Sequence, residues 1–152
     1  IVDRLVGSEM CIRDSILAIR GDLTADYTMI DIAKALTDLG ESLNVLYLSN
    51  AEQYFKLPPT YRRNIIAQPW GERSVALRTM GWGSLGFFDE DEKYHYNVQS
   101  GANFVAWMRQ SRTTKAGRMM FKGRKIQEMG FSIMTGLPAK SKRLPKIAPI
   151  PK

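Results

Sequence analysis

Cysteine, histidine and, in the last third of the chain, carboxylates are what this sequence is short of. The one cysteine, Cys11, leaves no pair for a disulfide, and His95 is the one histidine, so neither thiolate nor histidine-rich metal sites have enough ligands. No apolar run approaches the roughly twenty residues a membrane-spanning helix needs. Charge is scarce by sign and by region. Ile16 to Met108 holds eight Lys/Arg against eleven Asp/Glu, a net of −3, whereas Arg109 to Lys152 holds twelve against one, a net of +11. The basic character therefore belongs to the C-terminal third, and a segment of that sign either contacts nucleic acid or an acidic partner, or is a solvated basic surface.

The first residues carry no fold logic. Leu5 to Asp14 has neither periodicity nor cap nor turn signal. Its back-translation resembles the transposase adapter used in preparing sequencing libraries. Residues 1–15 are accordingly read as an adapter-derived artefact, which removes Met10 and Cys11 from consideration. The chain is expected to start inside a domain at Ile16, with residues 16–136 a partial α/β domain and 137–152 an extended, basic, proline-rich tail. The compartment is left open, with the cytoplasm the default.

The organising stretch is Asn44 to Tyr54. Val45, Leu46, Tyr47 and Leu48 form a short apolar run suited to a buried strand, and two helix-start pairings follow, Asn50 with Gln53 and Ser49 with Glu52. Before it, Ile16 to Arg20 reads as a strand. Met29, Ile30, Ile32, Ala33, Leu36 and Leu39 then recur at helical spacing, up to a stop at Gly40. After it, the spacing predicts a helix from Ala51 to Pro58-Pro59, a second helical piece over Tyr61 to Ala67, and a strand over Ser74 to Met80. Tyr94 to Val98 reads as a short edge strand, Ser100 as the cap of a helix from Ala102 to about Gln110, and Met129 to Met134 as a last strand. Arg112 to Lys125 reads as basic with little apolar spacing. Two successive strand–helix–strand units imply an α/β, three-layer sandwich with a mainly parallel sheet of Rossmann type, incomplete at its N-terminus.

Several residues are candidates for chemistry. Gly81, Gly83 and Gly86 match the letter of a dinucleotide-binding fingerprint after a strand, but Asp89 to Glu92 follow where a helix N-terminus should face a pyrophosphate, so cofactor binding there is disfavoured. The same acidic run lacks the spacing and central glycine of a calcium loop. His95, between Tyr94 and Tyr96, is read as a general base or, preferably, as a structural hydrogen-bonded side chain. Ser49, Asn50 and Glu52 stand at the carboxyl end of a strand, where an open α/β sheet gathers its ligands. Arg109, Arg112, Lys115, Arg118, Lys122, Arg124 and Lys125 could form a phosphate-contacting patch, helped by Trp107 and Phe121.

The word Tyr47-Leu48-Ser49-Asn50-Ala51-Glu52-Gln53-Tyr54, with Arg20-Gly21-Asp22 before it and Val75-Ala76-Leu77-Arg78 after it, resembles a group of uncharacterised bacterial proteins. That group has a class I, S-adenosylmethionine-dependent methyltransferase-like fold. The resemblance implies that the strand ending at Ser49-Asn50 is the fourth of such a sheet and that Ser49, Asn50 and Glu52 lie at the substrate end of its cleft. It also implies that the S-adenosylmethionine-binding elements would precede Ile16. Asn50 is followed here by Ala51-Glu52, where some amino-methyltransferases have Pro-Pro. Two functions are thus expected: the C-terminal part of a methyltransferase-like protein, or a non-enzymatic binding module whose basic third contacts nucleic acid or an acidic partner.

Overall fold

The computed structural model describes residues 18–81, 94–128, 130–140 and 142–151, with the side chains of 124–128 excepted. Helix α1 spans Thr28–Asp38, and strand β1, Leu43–Ser49, leads into a single 3₁₀ turn at Ala51–Gln53. Helix α2 is Pro59–Ile66, β2 is Trp70–Gly81, and β3, Tyr94–Ser100, passes directly into α3, Gly101–Gln110. Helix α4, Ala116–Gly123, runs into β4, Arg124–Glu128, which returns as β5, Phe131–Met134.

The five strands form one sheet in the order β1-β2-β3-β5-β4. The pairs β1–β2 and β3–β5 are parallel, and β2–β3 and β4–β5 antiparallel. Leu48, Ala76, Met80 and Met134 point to the face on which Tyr61, Ile65, Phe104, Trp107, Met108, Met119 and Met120 pack as one core. Helix α3 lies on β2 and β3, α2 lies on α3, and α1 lies on α2. On the opposite face the register aligns Tyr47 with Leu77, Leu77 with Val98 and Val98 with Ile133, and Tyr96 with Phe131. There Val45 and Tyr47 are each 57% exposed, and Tyr94 and Tyr96 are about half exposed.

This geometry overturns the expected three-layer, mainly parallel sandwich. The sheet is mixed, and among the described residues the helices cover one of its faces. The parallel β1–α2–β2 unit forms as its apolar runs require, but Ala18 to Arg20 lie in no strand, Ile16 and Leu17 fall outside the described residues, and α1 therefore does not join two described strands. Strand β3 is central instead of an edge, because its inward residues His95, Asn97 and Gln99 are buried polar groups and its outward ones are Tyr94, Tyr96 and Val98.

Local signals acted as their chemistry dictates at several points. Gly40 takes φ +70° past the end of α1, the left-handed conformation that suits a residue without Cβ. The Ser100 side chain accepts from the Asn103 N–H at 3.2 Å and caps α3. Pro59 occupies the first turn of α2, where its missing N–H costs nothing. The helix expected from Ala51 to Pro58-Pro59 is only a 3₁₀ turn, Ala51–Gln53, and the prolines bar its extension.

Candidate functional site

The carboxyl ends of the parallel strands β1 and β2 lie side by side, and the sequence candidates there divide by role. Ser49 adopts φ +48°, and its hydroxyl lies 3.3 Å from that of Thr79 on β2. Neither it nor Asn50 caps the 3₁₀ turn by a side-chain hydrogen bond; Asn50 Nδ2 instead donates to Tyr54 Oη at 3.3 Å. Glu52 turns inward and is 2% exposed. One carboxylate oxygen accepts from Tyr61 Oη at 2.6 Å, and the other is ion-paired with Arg78 Nε. Arg78, itself fully buried, lays its guanidinium over the Phe104 ring, with Cζ 4.3 Å from the centroid.

Tyr61 consequently holds its proton far above the ordinary phenol range: burial disfavours the phenolate most, and the Glu52 charge adds to that. Glu52 is thus a structural anion with both oxygens engaged. A cleft of about 430 Å³ opens beside it, with Met80, Lys115 and Arg118 among its walls. His95 is 3% exposed, with Nε2 hydrogen-bonded to Ser132 Oγ at 2.8 Å. Gly81 closes β2, whereas Gly83, Gly86 and Asp89 to Glu92 lie outside the described residues.

The basic third builds more. Helix α4 buries Ala116, Met119, Met120 and Gly123, positions i, i+3, i+4 and i+7 of one face, and so presents Arg118 and Lys122 outward. The connection before it is fixed in place by α2 and its approach. Leu57 N–H donates to Thr114 O at 2.8 Å. Arg62, 3% exposed, donates to Met108 O at 2.9 Å and to Thr113 O, tying the end of α3 to the same connection. Burial lowers the Arg62 pKa from its usual value, though a guanidinium remains charged at neutral pH.

Two clefts result. The first, about 370 Å³, has Trp107 in its wall and is lined by Arg112, Arg118, Lys122 and Lys140 with the hydroxyls of Ser111, Thr113 and Thr114. The second, about 430 Å³, is lined by Arg62, Arg112, Arg143 and Lys146 beside Leu57 and Pro145. Arg112 and Thr114 belong to both, so the clefts are neighbours. Neither is lined by a carboxylate. The ion pairs Arg63–Asp26 and Arg78–Glu52 lie outside both clefts.

Of the seven cations singled out in the sequence, Arg112, Arg118 and Lys122 converge on the first cleft. Lys115 joins Arg118 in the cleft beside Glu52, Arg109 is exposed in the last turn of α3 and lines neither of the two, and the side chains of Arg124 and Lys125 lie outside the described residues. Lys140, Arg143 and Lys146 were legible only as charges of a basic, proline-rich tail, because its path depends on long-range contacts. Arg62, Arg78 and Tyr61 carried no local signal. The mixed, one-faced sheet departs from the fold that the methyltransferase-like resemblance implied, and residues 1–17 lie outside the described residues. Among the described residues no group of three or more His, Cys, Asp and Glu could hold a metal ion. A family model described as Domain of unknown function (DUF7790) matches residues 8–135. No curated protein matches the chain.

Proposed function

The chain belongs to the DUF7790 family, and from that premise we propose that it is a non-enzymatic binding module that docks the phosphate backbone of a nucleic acid. The observation that carries this function is the first cleft, where Arg112, Arg118, Lys122 and Lys140 meet three hydroxyls and no carboxylate. Phosphate recognition calls for that mixture. Cations supply the counter-charge, with guanidinium forks suited to bidentate contact, and hydroxyls give neutral hydrogen bonds that fix position.

An acidic protein partner would be expected to meet apolar anchors as well as charge. Here Trp107, the aromatic side chain of the first cleft, is 3% exposed and already donates from Nε1 to Gly136 O at 2.9 Å. Binding through cations alone is independent of base sequence and dominated by counterion release.

Fluorescence anisotropy of a labelled oligonucleotide, titrated with protein at several salt concentrations, tests this. Affinity is expected to fall as a power of salt concentration, with a slope that shrinks in Arg112→Gln/Arg118→Gln/Lys122→Gln by about 0.7 to 0.9 per lost contact. No binding at low salt, or a slope untouched by the triple substitution, would end the proposal.

A further inference from the structure

We infer that the segment between Gly136 and Ala148 is a strap that holds a single strand of nucleic acid against the body of the domain, backbone inward and bases outward. This rests on the phosphate-docking function above and adds the strandedness of the partner and a second wall for its site.

Both ends of the segment are tied down. Gly136 N–H donates to Gly123 O at 2.8 Å, and Gly136 O accepts from Trp107 Nε1 and from Asn103 Nδ2. At the far end Ala148 N–H donates to Pro59 O at 3.1 Å, and the buried Arg63 donates to Pro149 O at 2.9 Å while ion-paired with Asp26. The described residues of the tail, 136–140 and 142–151, thus lie along the body between the end of β5 and the start of α2.

The cations of the strap share their clefts with cations of the body. Lys140 lines the first cleft with Arg118 and Lys122, and Lys146 lines the second with Arg112 and Arg62. Positive charge on both walls of one groove is self-repelling, and a run of phosphates converts that repulsion into attraction on both sides at once. Because Arg112 stands in both clefts, one continuous strand can pass from one to the other.

Strandedness follows from the walls. A duplex is stiff over about 150 base pairs and carries its phosphates on a convex surface, so it cannot sink between two walls, whereas a single strand can turn successive phosphates into the groove. Trp107 is buried and Phe121, 60% exposed on α4, lines neither groove, so neither offers a ring on which to stack bases, which therefore face outward.

The test uses the whole chain and a short labelled single-stranded RNA, followed by anisotropy against salt. Two variants carry substitutions at exposed positions: Arg118→Gln/Lys122→Gln in the body and Lys140→Gln/Lys146→Gln in the strap. Each pair is expected to lower the log–log salt slope by about 1.4 and the affinity near 0.1 M salt about 25-fold. Bound RNA is also expected to slow tryptic cleavage after Lys140 and Lys146. A strap variant with wild-type slope, beside a body variant that loses affinity, would overturn the strap and leave phosphate docking standing. Failure of the wild-type chain to bind would overturn both. A duplex of the same sequence binding as tightly as the single strand would overturn the assignment of strandedness.

Discussion

Replacing Glu52 by Gln removes one charge and almost no volume, and it should be among the most damaging single changes in the molecule. Arg78 is fully buried and Glu52 is 2% exposed. Nη1 and Nη2 of Arg78 have no hydrogen-bond partner among the described residues, so Glu52 is its anchor together with the Phe104 ring. Leaving a buried cation without its anion costs about 3–5 kcal/mol, and the ring contact, worth up to about 2 kcal/mol when desolvated, is present in both forms and leaves that difference unchanged. For a domain whose total stability is about 5–15 kcal/mol that is about a fifth or more. At about 2–4 °C per kcal/mol the melting temperature should fall by roughly 6–20 °C.

Urea unfolding followed by tryptophan fluorescence and by far-ultraviolet circular dichroism measures the cost, provided the two probes coincide and the slope with urea is unchanged. The companion variant Glu52→Leu/Arg78→Met/Tyr61→Phe removes both charges and the hydroxyl that depends on them. It should lie within about 2 kcal/mol of wild type or be more stable. A cost below about 1 kcal/mol for Glu52→Gln, or a triple variant as unstable as the single one, would refute the claim that an uncompensated buried charge is what matters there.

Tyr61 gives the domain an alkaline weakness. Its pKa is raised well above the ordinary 10.0 in the folded state, so its contribution is intact below that pH; above it the unfolded chain releases the proton first, and stability falls as pH rises. Tyr61→Phe should flatten that part of the curve of urea midpoint against pH, and an unchanged fall would assign it elsewhere. Gly136→Ala would place a Cβ 2.6 Å from the Gly123 carbonyl oxygen, a backbone atom that cannot swing aside. A loss of about 1–3 kcal/mol is expected from urea midpoints. Arg63→Gln removes the side chain that accounts for one of the two hydrogen bonds at the far end of the tail. Limited trypsin digestion should then cut after Arg143 and Lys146 several-fold faster, and an unchanged rate would show that Ala148 alone suffices.

The parts of the fold legible in the sequence are those whose signals are local. The apolar run at Val45 to Leu48, the prolines before α2 and the Ser100 cap each act within a few residues. Helix α4 was also written locally, at Ala116, Met119, Met120 and Gly123, but two of those four side chains are small enough that the stripe does not stand out among lysines and arginines. Strand β4, Arg-Lys-Ile-Gln-Glu, shows no apolar alternation, and its place follows from pairing with β5. The expected third layer came from the alternation of strands and helices and from the apolar run of β1, which suggests burial on both faces, whereas here Val45 and Tyr47 stand in the open. For the site, the cations of α4 were visible as a cluster. The pairing of Glu52 with Arg78, 26 residues apart, depends on the parallel register of β1 on β2, and the entry of Lys140 and Lys146 depends on anchors made by Trp107 and Arg63.

A sheet with helices on one side divides its own residues into a constrained set and a free one, with a period of two. Along β3, His95, Asn97 and Gln99 are enclosed by neighbours whose shape and hydrogen bonds leave little choice of side chain, while Tyr94 and Tyr96 are half in water. Saturation mutagenesis of this strand should therefore read as a comb: odd positions from 95 to 99 accept almost nothing, and 94 and 96 accept most polar residues. Such a comb would make β3, whose fold signal is weak, the strand whose alternation is easiest to hear in the record of tolerated change.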